Sequence, residues 1–488
     1  MSSPVGGSPW VISSKKYDAW GPPVPVDASR KRGGGGARTA WGPPLPPGAG
    51  RGYPAVDSLG MPMEYLGKKP QPPPKKPAKH RPGSAKSTAS FVDSAMPLIT
   101  LMQLGIALPV LRRRDGRIQW KVLSPIWVYT LTVYGVLTVP VYYAVSAAVR
   151  QLAAEDNTFH DQIYNMTPLL LLNAHPLMPV MHWIEAYSVA GYFNAWTKYE
   201  ELFEKVCQRP LRLGLSGYVI RLTATSLGVA AFLTGTMPLY MSLSWLQCLA
   251  YLHLYLLAIC LVSMWLLSSR ALCIAAEALR ESMHEMVVTG TCTPDRLSDY
   301  RLAWLELSDL TQESGRAWTY QCGHQLLYLF LLMTVTSFGV LAGVARHTLE
   351  PRTLAYGALA AGSAFILFIV CSAAETSADK VAQVLREDLL MVQLSDDTQR
   401  FKNEVQMFMT ALAMDPPIVN LSGYATVNRA LFASLLETMV TYLVVLVQFA
   451  YSLDSAPDTN GTATATEAST AKATPEATKV PVAATDAP

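Results

Sequence analysis

The chain has 488 residues, 50% hydrophobic and only 15% charged, with a mean hydropathy of +0.21. Soluble domains carry about 25% charged residues, so the composition points to an integral membrane protein and excludes a disordered, collagen-like or disulfide-rich secreted chain. The formal charge of +3 conceals an asymmetry: residues 1–90 hold fourteen Lys and Arg against four acids, a net +10, which leaves −7 for the remainder.

Residues 1–90 are rich in Pro and Gly, with four consecutive glycines at 33–36 and a Trp-Gly-Pro-Pro-x-Pro unit at 20–25 and again at 41–46. Pro removes backbone donors and Gly raises the entropy cost of ordering. This basic tail is therefore expected to be disordered, with polyproline II stretches that could dock a proline-recognising module. Its charge sits in low-complexity sequence and makes no case for nucleic acid. No apolar h-region follows Met1, so no signal peptide is expected. The apolar stretch 95–111 is short and carries Pro97 and Pro109. The stretch is read as an interfacial or buried helix and not a span, and residues 91–124 as an amphipathic or interfacial helix and a basic linker.

Seven windows then reach the roughly 20 apolar residues that a bilayer crossing needs: 125–149, 168–194, 218–241, 246–267, 325–344, 354–371 and 431–451. Nineteen Lys and Arg flank them on one side, among them Arg112, Lys198, Arg270, Arg301 and Arg429, against five on the other. Lys and Arg gather in cytoplasmic loops, which predicts a cytosolic N-terminus and an external C-terminus. The sequons at Asn165 and Asn460 then lie outside, where glycosylation is possible, and the one at Asn420 lies inside. The loops 295–316, 381–392 and 405–412 carry Leu and Val at helical spacing. They predict a helical cytosolic anchor built from 268–324 and 372–430. Residues 452–488 are Thr- and Ala-rich and read as a disordered external tail.

Of the seven cysteines only Cys248 lies near the external face, so no disulfide is expected. His175 and His182 stand seven apart without a third ligand, which argues against metal. The chain carries no P-loop, GxSxG or HExxH. Neither an enzyme nor a cofactor is expected.

The last window carries the most specific pattern. At 3.6 residues per turn, Ser434, Thr438, Thr441, Val445 and Gln448 form one stripe with Glu437 beside it. Facing lipid, an acidic residue at mid-membrane costs about 2.5 to 3.5 kcal/mol. The stripe must therefore meet protein or water. It could serve helix–helix hydrogen bonding, as Ser and Thr commonly do. It could equally line a pore, with Val445 and Gln448 as a constriction and Glu437 as a cation-favouring ring.

The sequence from Thr441 and Tyr442 to Gln448 and Phe449 resembles the TYhhhhhQF signature (h is hydrophobic) that closes insect gustatory receptors. Segments 389–394, 404–408, 415–417 and 421–432 resemble the carbon-dioxide-sensing subfamily. The similarity is clear over 375–451 and weaker back to about 300; both tails depart from it. The resemblance implies an all-α membrane protein of seven transmembrane helices, a subunit of a ligand-gated non-selective cation channel. It implies a homo- or hetero-tetramer with related gustatory receptor subunits in the plasma membrane of sensory neurons. The seventh helices would line the pore, and the ligand would be a small molecule such as carbon dioxide. Family ligands sit in the outer half of spans two to six, where this chain offers Asn173, His175, Tyr240, His253, Tyr255 and Tyr356. Histidine is the candidate switch near neutral pH, and Pro176 could kink a helix open beside Asn173 and His175.

Two alternative classes remain, a G-protein-coupled receptor and a small-solute transporter. A G-protein-coupled receptor would have the opposite orientation, and neither Asp-Arg-Tyr after span three nor Asn-Pro-x-x-Tyr in span seven is present. A small-solute transporter would often show repeated halves, which this sequence lacks.

Overall fold

The computed structural model describes residues 90–105, 108–114, 116–153, 159–239, 244–345, 351–393 and 398–454. The basic N-terminal tail, the Thr/Ala-rich tail, Tyr240 and Asn460 lie outside the described residues. Within them the fold is all-α apart from one small hairpin.

Helix α1 (Phe91–Leu104) begins where Ser90 Oγ accepts the Asp93 amide at 3.1 Å. It is a buried helix, one of the two expected alternatives. Phe91, Ala95, Leu98 and Ile99 are fully covered, and the helices Ala174–Cys207, Ser216–Thr236 and Trp245–Val288 surround it. The reason lies in its first residue. The Phe91 ring stacks on Trp196 with centroids 4.4 Å apart, and covering such a side chain contributes about 1.5–3 kcal/mol.

The expected basic linker is instead a hairpin. Strands β1 (Val110–Arg112) and β2 (Ile118–Trp120) pair antiparallel, with Val110 opposite Trp120 and Arg112 opposite Ile118. Gly116, at φ +85°, supplies the left-handed turn position. The Asn194 side chain clamps Ile118 from outside, accepting its N–H at 3.0 Å and donating to its carbonyl at 2.9 Å.

Helix α2 (Pro125–Leu152) starts from a Ser124 cap with Pro125 in its first turn, where a missing N–H costs nothing. The crossing expected at 168–194 is not one helix. It is split between α3 (Phe159–Leu172) and α4 (Ala174–Cys207), with Asn173 at the break. In a continuous helix Pro176 would leave the Leu172 carbonyl without its donor, as Pro179 still does to the His175 carbonyl inside α4. The break at Asn173 places Pro176 in the first turn of α4, where amides have no intrahelical acceptor anyway.

Helices α5 (Ser216–Thr236), α6 (Trp245–Val288), α8 (Thr319–Ala345), α9 (Pro351–Gln383) and α12 (Arg429–Asp454) join α2 as six helices long and apolar enough to cross a membrane. The split α3–α4 pair supplies the seventh crossing. Helix α6 starts from a Ser244–Gln247 capping box and runs 44 residues, about 66 Å at 1.5 Å per residue. A bilayer core is about 30 Å thick, so α6 continues well beyond it. It is also the central helix, touching α1 to α5 and α7 to α10.

Past the apolar part of α6, three more polar helices pack together: α7 (Pro294–Ala317), α10 (Arg386–Gln393) and α11 (Gln399–Met414). Of the leucines that suggested a helix here, Leu297, Leu307 and Leu310 are buried, while Leu302 faces out. Trp304 anchors this core. Its indole donates to the Val381 carbonyl at 2.9 Å, and its ring lies 6.3 Å from Phe408. The half-buried Arg301–Glu404 pair, at 2.8 Å, ties α7 to α11.

Candidate functional site: the terminal helix and a buried histidine pair

Helix α12 is held at its start and along one face. Arg429 donates its N–H to Glu375 of α9 at 2.6 Å, and Asn428 Oδ1 accepts the Leu431 amide at 2.9 Å. Leu435, Leu436, Met439, Leu443, Leu446 and Val447 pack inward against α3, α8 and α9. The polar stripe points the other way. Ser434, Glu437, Thr438, Thr441, Val445 and Gln448 are all exposed on the single chain. Thr438 and Thr441 donate to the carbonyls of Ser434 and Glu437 one turn back, at 2.8 and 3.1 Å. These hydroxyls are spent on their own helix.

The structure brings His175 and His253 together and adds two residues the sequence search missed. The imidazole rings of His175 (α4) and His253 (α6) lie edge to face, 5.8 Å apart, and both side chains are buried. Tyr134 of α2 stacks on His175 at 4.8 Å, nearly parallel. Thr138 Oγ1 donates to the Tyr134 carbonyl at 2.8 Å and lies 3.1 Å from His175 Nε2. Its proton is thus committed, so Thr138 accepts from His175 Nε2–H. In the neutral ring this leaves His175 Nδ1 as a lone-pair acceptor. That atom and His253 Nε2 are both buried without a partner. Tyr134 and Thr138 share one face of the first crossing, four residues apart; a search confined to spans two to six leaves them out.

The other proposed pocket residues go elsewhere. Asn173 is exposed at the helix break. Tyr255, two residues beyond His253 and so on the far side of α6, donates to Met237 Sδ at 3.9 Å. Tyr356 is buried beneath the Arg352 guanidinium, 5.9 Å from its ring centre. Asn165 is half-buried in α3, where its Oδ1 accepts from Arg352 at 3.2 Å and its Nδ2 donates to the Gln151 carbonyl at 3.3 Å. An open cleft of about 570 Å³ lies between Gln312 and Arg316 of α7 and the 415–426 segment; it includes none of the selected residues.

These features match known proteins. The model of the 7tm chemosensory receptor family matches residues 98–453. Gustatory and odorant receptor 22 of Anopheles gambiae is 26% identical over 376 residues, covering 75% of this chain and 79% of that one. Gustatory and odorant receptor 24 of the same mosquito is 28% identical over 380 residues, 76% and 81% of the two chains. Gustatory and odorant receptor 21a of Drosophila melanogaster is 27% identical over 376 residues, 74% and 81%. The solved structure of the insect olfactory receptor OR5 from Machilis hrabei, in complex with eugenol, shares the fold with a TM-score of 0.53 at 12% identity, covering 73% of this chain and 97% of that one. The chain is thus a multi-pass membrane receptor and not an enzyme, and it belongs to the seven-transmembrane chemosensory receptor family alongside the insect gustatory receptors.

Proposed function

We propose that the chain is one subunit of a tetrameric, ligand-gated, non-selective cation channel that detects carbon dioxide in the plasma membrane of sensory neurons. The observation that carries this reading is the outward polar stripe of α12. A stripe serving contacts within the subunit would be covered by α3, α8 or α9, yet it is the opposite face that they cover. Copies of the chain around one axis would bring four such stripes onto water. Thr438 and Thr441 then line the path, Glu437 supplies a negative ring for cations, and Val445 with Gln448 narrows it. The Lys/Arg bias puts the N-terminus and the α7–α10–α11 anchor in the cytosol, and leaves Asn165 and Asn460 as outward sequons. Residues 268–324 and 372–430 form the anchor that joins the subunits, whether identical or related.

The ligand site of this reading centres on His175 and His253. Carbon dioxide is small, apolar overall and quadrupolar, and a buried histidine pair with two unpartnered ring nitrogens offers it a polar contact. The names of the relatives, as gustatory and odorant receptors, favour a chemical stimulus.

The test is expression alone and with related subunits, with patch-clamp recording during a carbon dioxide step at fixed external pH. An inward cation current is expected. A C-terminal tag accessible only from the cytosol would sink the topology, and a response that survives without any subunit current would sink the channel.

A further inference from the structure

A second buried polar cluster lies between α4 and α8, separate from the His175–His253 pair. Glu185 of α4 accepts the backbone N–H of Tyr320 at 2.5 Å and of Gln321 at 3.1 Å, in the first turn of α8. As second and fifth crossings, α4 and α8 run in opposite directions. Three residues back along α4, His182 therefore comes level with His324 and Gln325, and the two imidazoles are within electrostatic reach of each other. His182, Gln321 and Gln325 are 0%, 2% and 4% exposed.

The hydrogen bonding of this cluster is incomplete. His182 Nδ1 lies 2.7 Å from the Met178 carbonyl, so that nitrogen carries the proton and Nε2 of the neutral ring is an acceptor. His182 Nε2, Gln321 Oε1, Gln325 Oε1 and His324 Nδ1 are buried without partners, while the Gln321 amide nitrogen lies within reach of the Glu185 carboxylate. Three of these atoms are acceptors, which cannot satisfy one another. Buried polar groups in native proteins are paired with protein or with ordered water. An anion would meet mainly acceptors. A metal ion would find no cluster of three or more ligating side chains among the described residues. Both oxygens of Glu185 are already engaged.

We propose that this node is a bound-water site, in which two ordered waters between α4 and α8 together donate to His182 Nε2, Gln321 Oε1 and Gln325 Oε1. Water fits because it donates twice and accepts twice, and a buried molecule typically makes about three such bonds. Only Trp318 separates α7 from α8, so the site lies where a shift of the crossing helices reaches α7. A water bridge lets the two helices slide by a small amount without exposing any of these acceptors.

Radiolytic hydroxyl footprinting of the intact receptor in lipid nanodiscs tests this, because radicals born from bound water label the side chains beside it. Millisecond X-ray exposure followed by peptide mass spectrometry should label His182 despite its complete burial. Trp304 is the control: it is intrinsically more reactive, has 0% exposure, and is bonded to protein. Labelling of His182 above Trp304 is expected. Gln325→Leu should lower that labelling with the size-exclusion profile unchanged. A His182 as protected as Trp304 would overturn the site, because the polar groups would then be pairing directly in a dry node. Histidine labelling unaffected by Gln325→Leu would also overturn it, since the water would lie elsewhere.

Discussion

A Cβ placed on Gly315 would stand 2.5 Å from the backbone oxygen of Asn420 and 2.9 Å from its backbone nitrogen. Helix α7 thus meets the segment that leads into α12 through bare main chain. Main chain cannot swing aside as a side-chain tip can, so Gly315→Ala must displace the segment. Overpacking of this kind costs about 1–3 kcal/mol. The variant is expected to melt earlier in a thermal size-exclusion assay of the solubilised receptor; an unchanged melting point would mean that the 415–428 segment yields freely.

Glu185 holds the start of α8 through two amides. Glu185→Ala strands both, at a cost of about 1–3 kcal/mol for a buried group left unpaired. Glu185→Gln keeps one acceptor oxygen and should retain part of the stability. Equal melting points for the two variants would argue that the cap is not what Glu185 contributes.

Glu200, beyond the membrane part of α4, accepts the Phe91 amide at 2.6 Å and so caps α1. Burial pushes its carboxyl up from 4.5 to about 7, with the nearby Asp93 adding to the effect and the Phe91 amide opposing it. The folded chain therefore keeps a proton that the unfolded chain has lost between about pH 4.5 and 7. Stability from this group falls as pH rises through that window and is flat above it. Glu200→Gln removes the titration but keeps an acceptor for Phe91. Its stability relative to the parent should rise by on the order of 1–2 kcal/mol between pH 5 and pH 8, less than full linkage because the site is partly solvated. Parallel melting curves across that range would count against it.

Much of α12 was readable from sequence because one helix face alternates with another at a fixed period, and Glu437 through Gln448 obey it. The α3–α4 break was not. Pro176 marked a disturbance, but the chain broke at Asn173, three residues earlier, because proline is harmless in a first turn and costly further in. The hairpin at 110–120 was hidden by its brevity: two three-residue strands leave no alternation to detect. The partners of His175 were hidden for another reason. Tyr134 and Thr138 reach it across 41 and 37 residues of sequence, and only packing of α2 on the bundle brings them there.

Thr138→Val keeps the shape beside His175 and deletes the hydrogen-bond acceptor. A net bond is worth about 1 kcal/mol, so the half-maximal carbon dioxide level should move by about fivefold, with maximal current preserved. An identical dose–response curve would place the ligand away from this pair.

Gln448→Ala and Glu437→Gln alter side chains that are exposed on the single chain, so thermal stability should hold while permeation changes. Glu437→Gln is expected to lower cation-over-anion selectivity, read as a reversal-potential shift in a salt gradient. Unaltered currents from both variants would refute the placement of α12 around the pore.

The exposed stripe of α12 also bears on how such a protein is made. A newly inserted single subunit turns Glu437 and Gln448 toward hydrocarbon, at roughly 2.5–3.5 kcal/mol for an acidic residue at the bilayer centre. In the proposed channel that penalty disappears when further copies close around the same face. The helix that would serve the finished assembly then marks every unfinished one, and gives the secretory pathway a polar feature within the membrane by which surplus subunits can be recognised and retained.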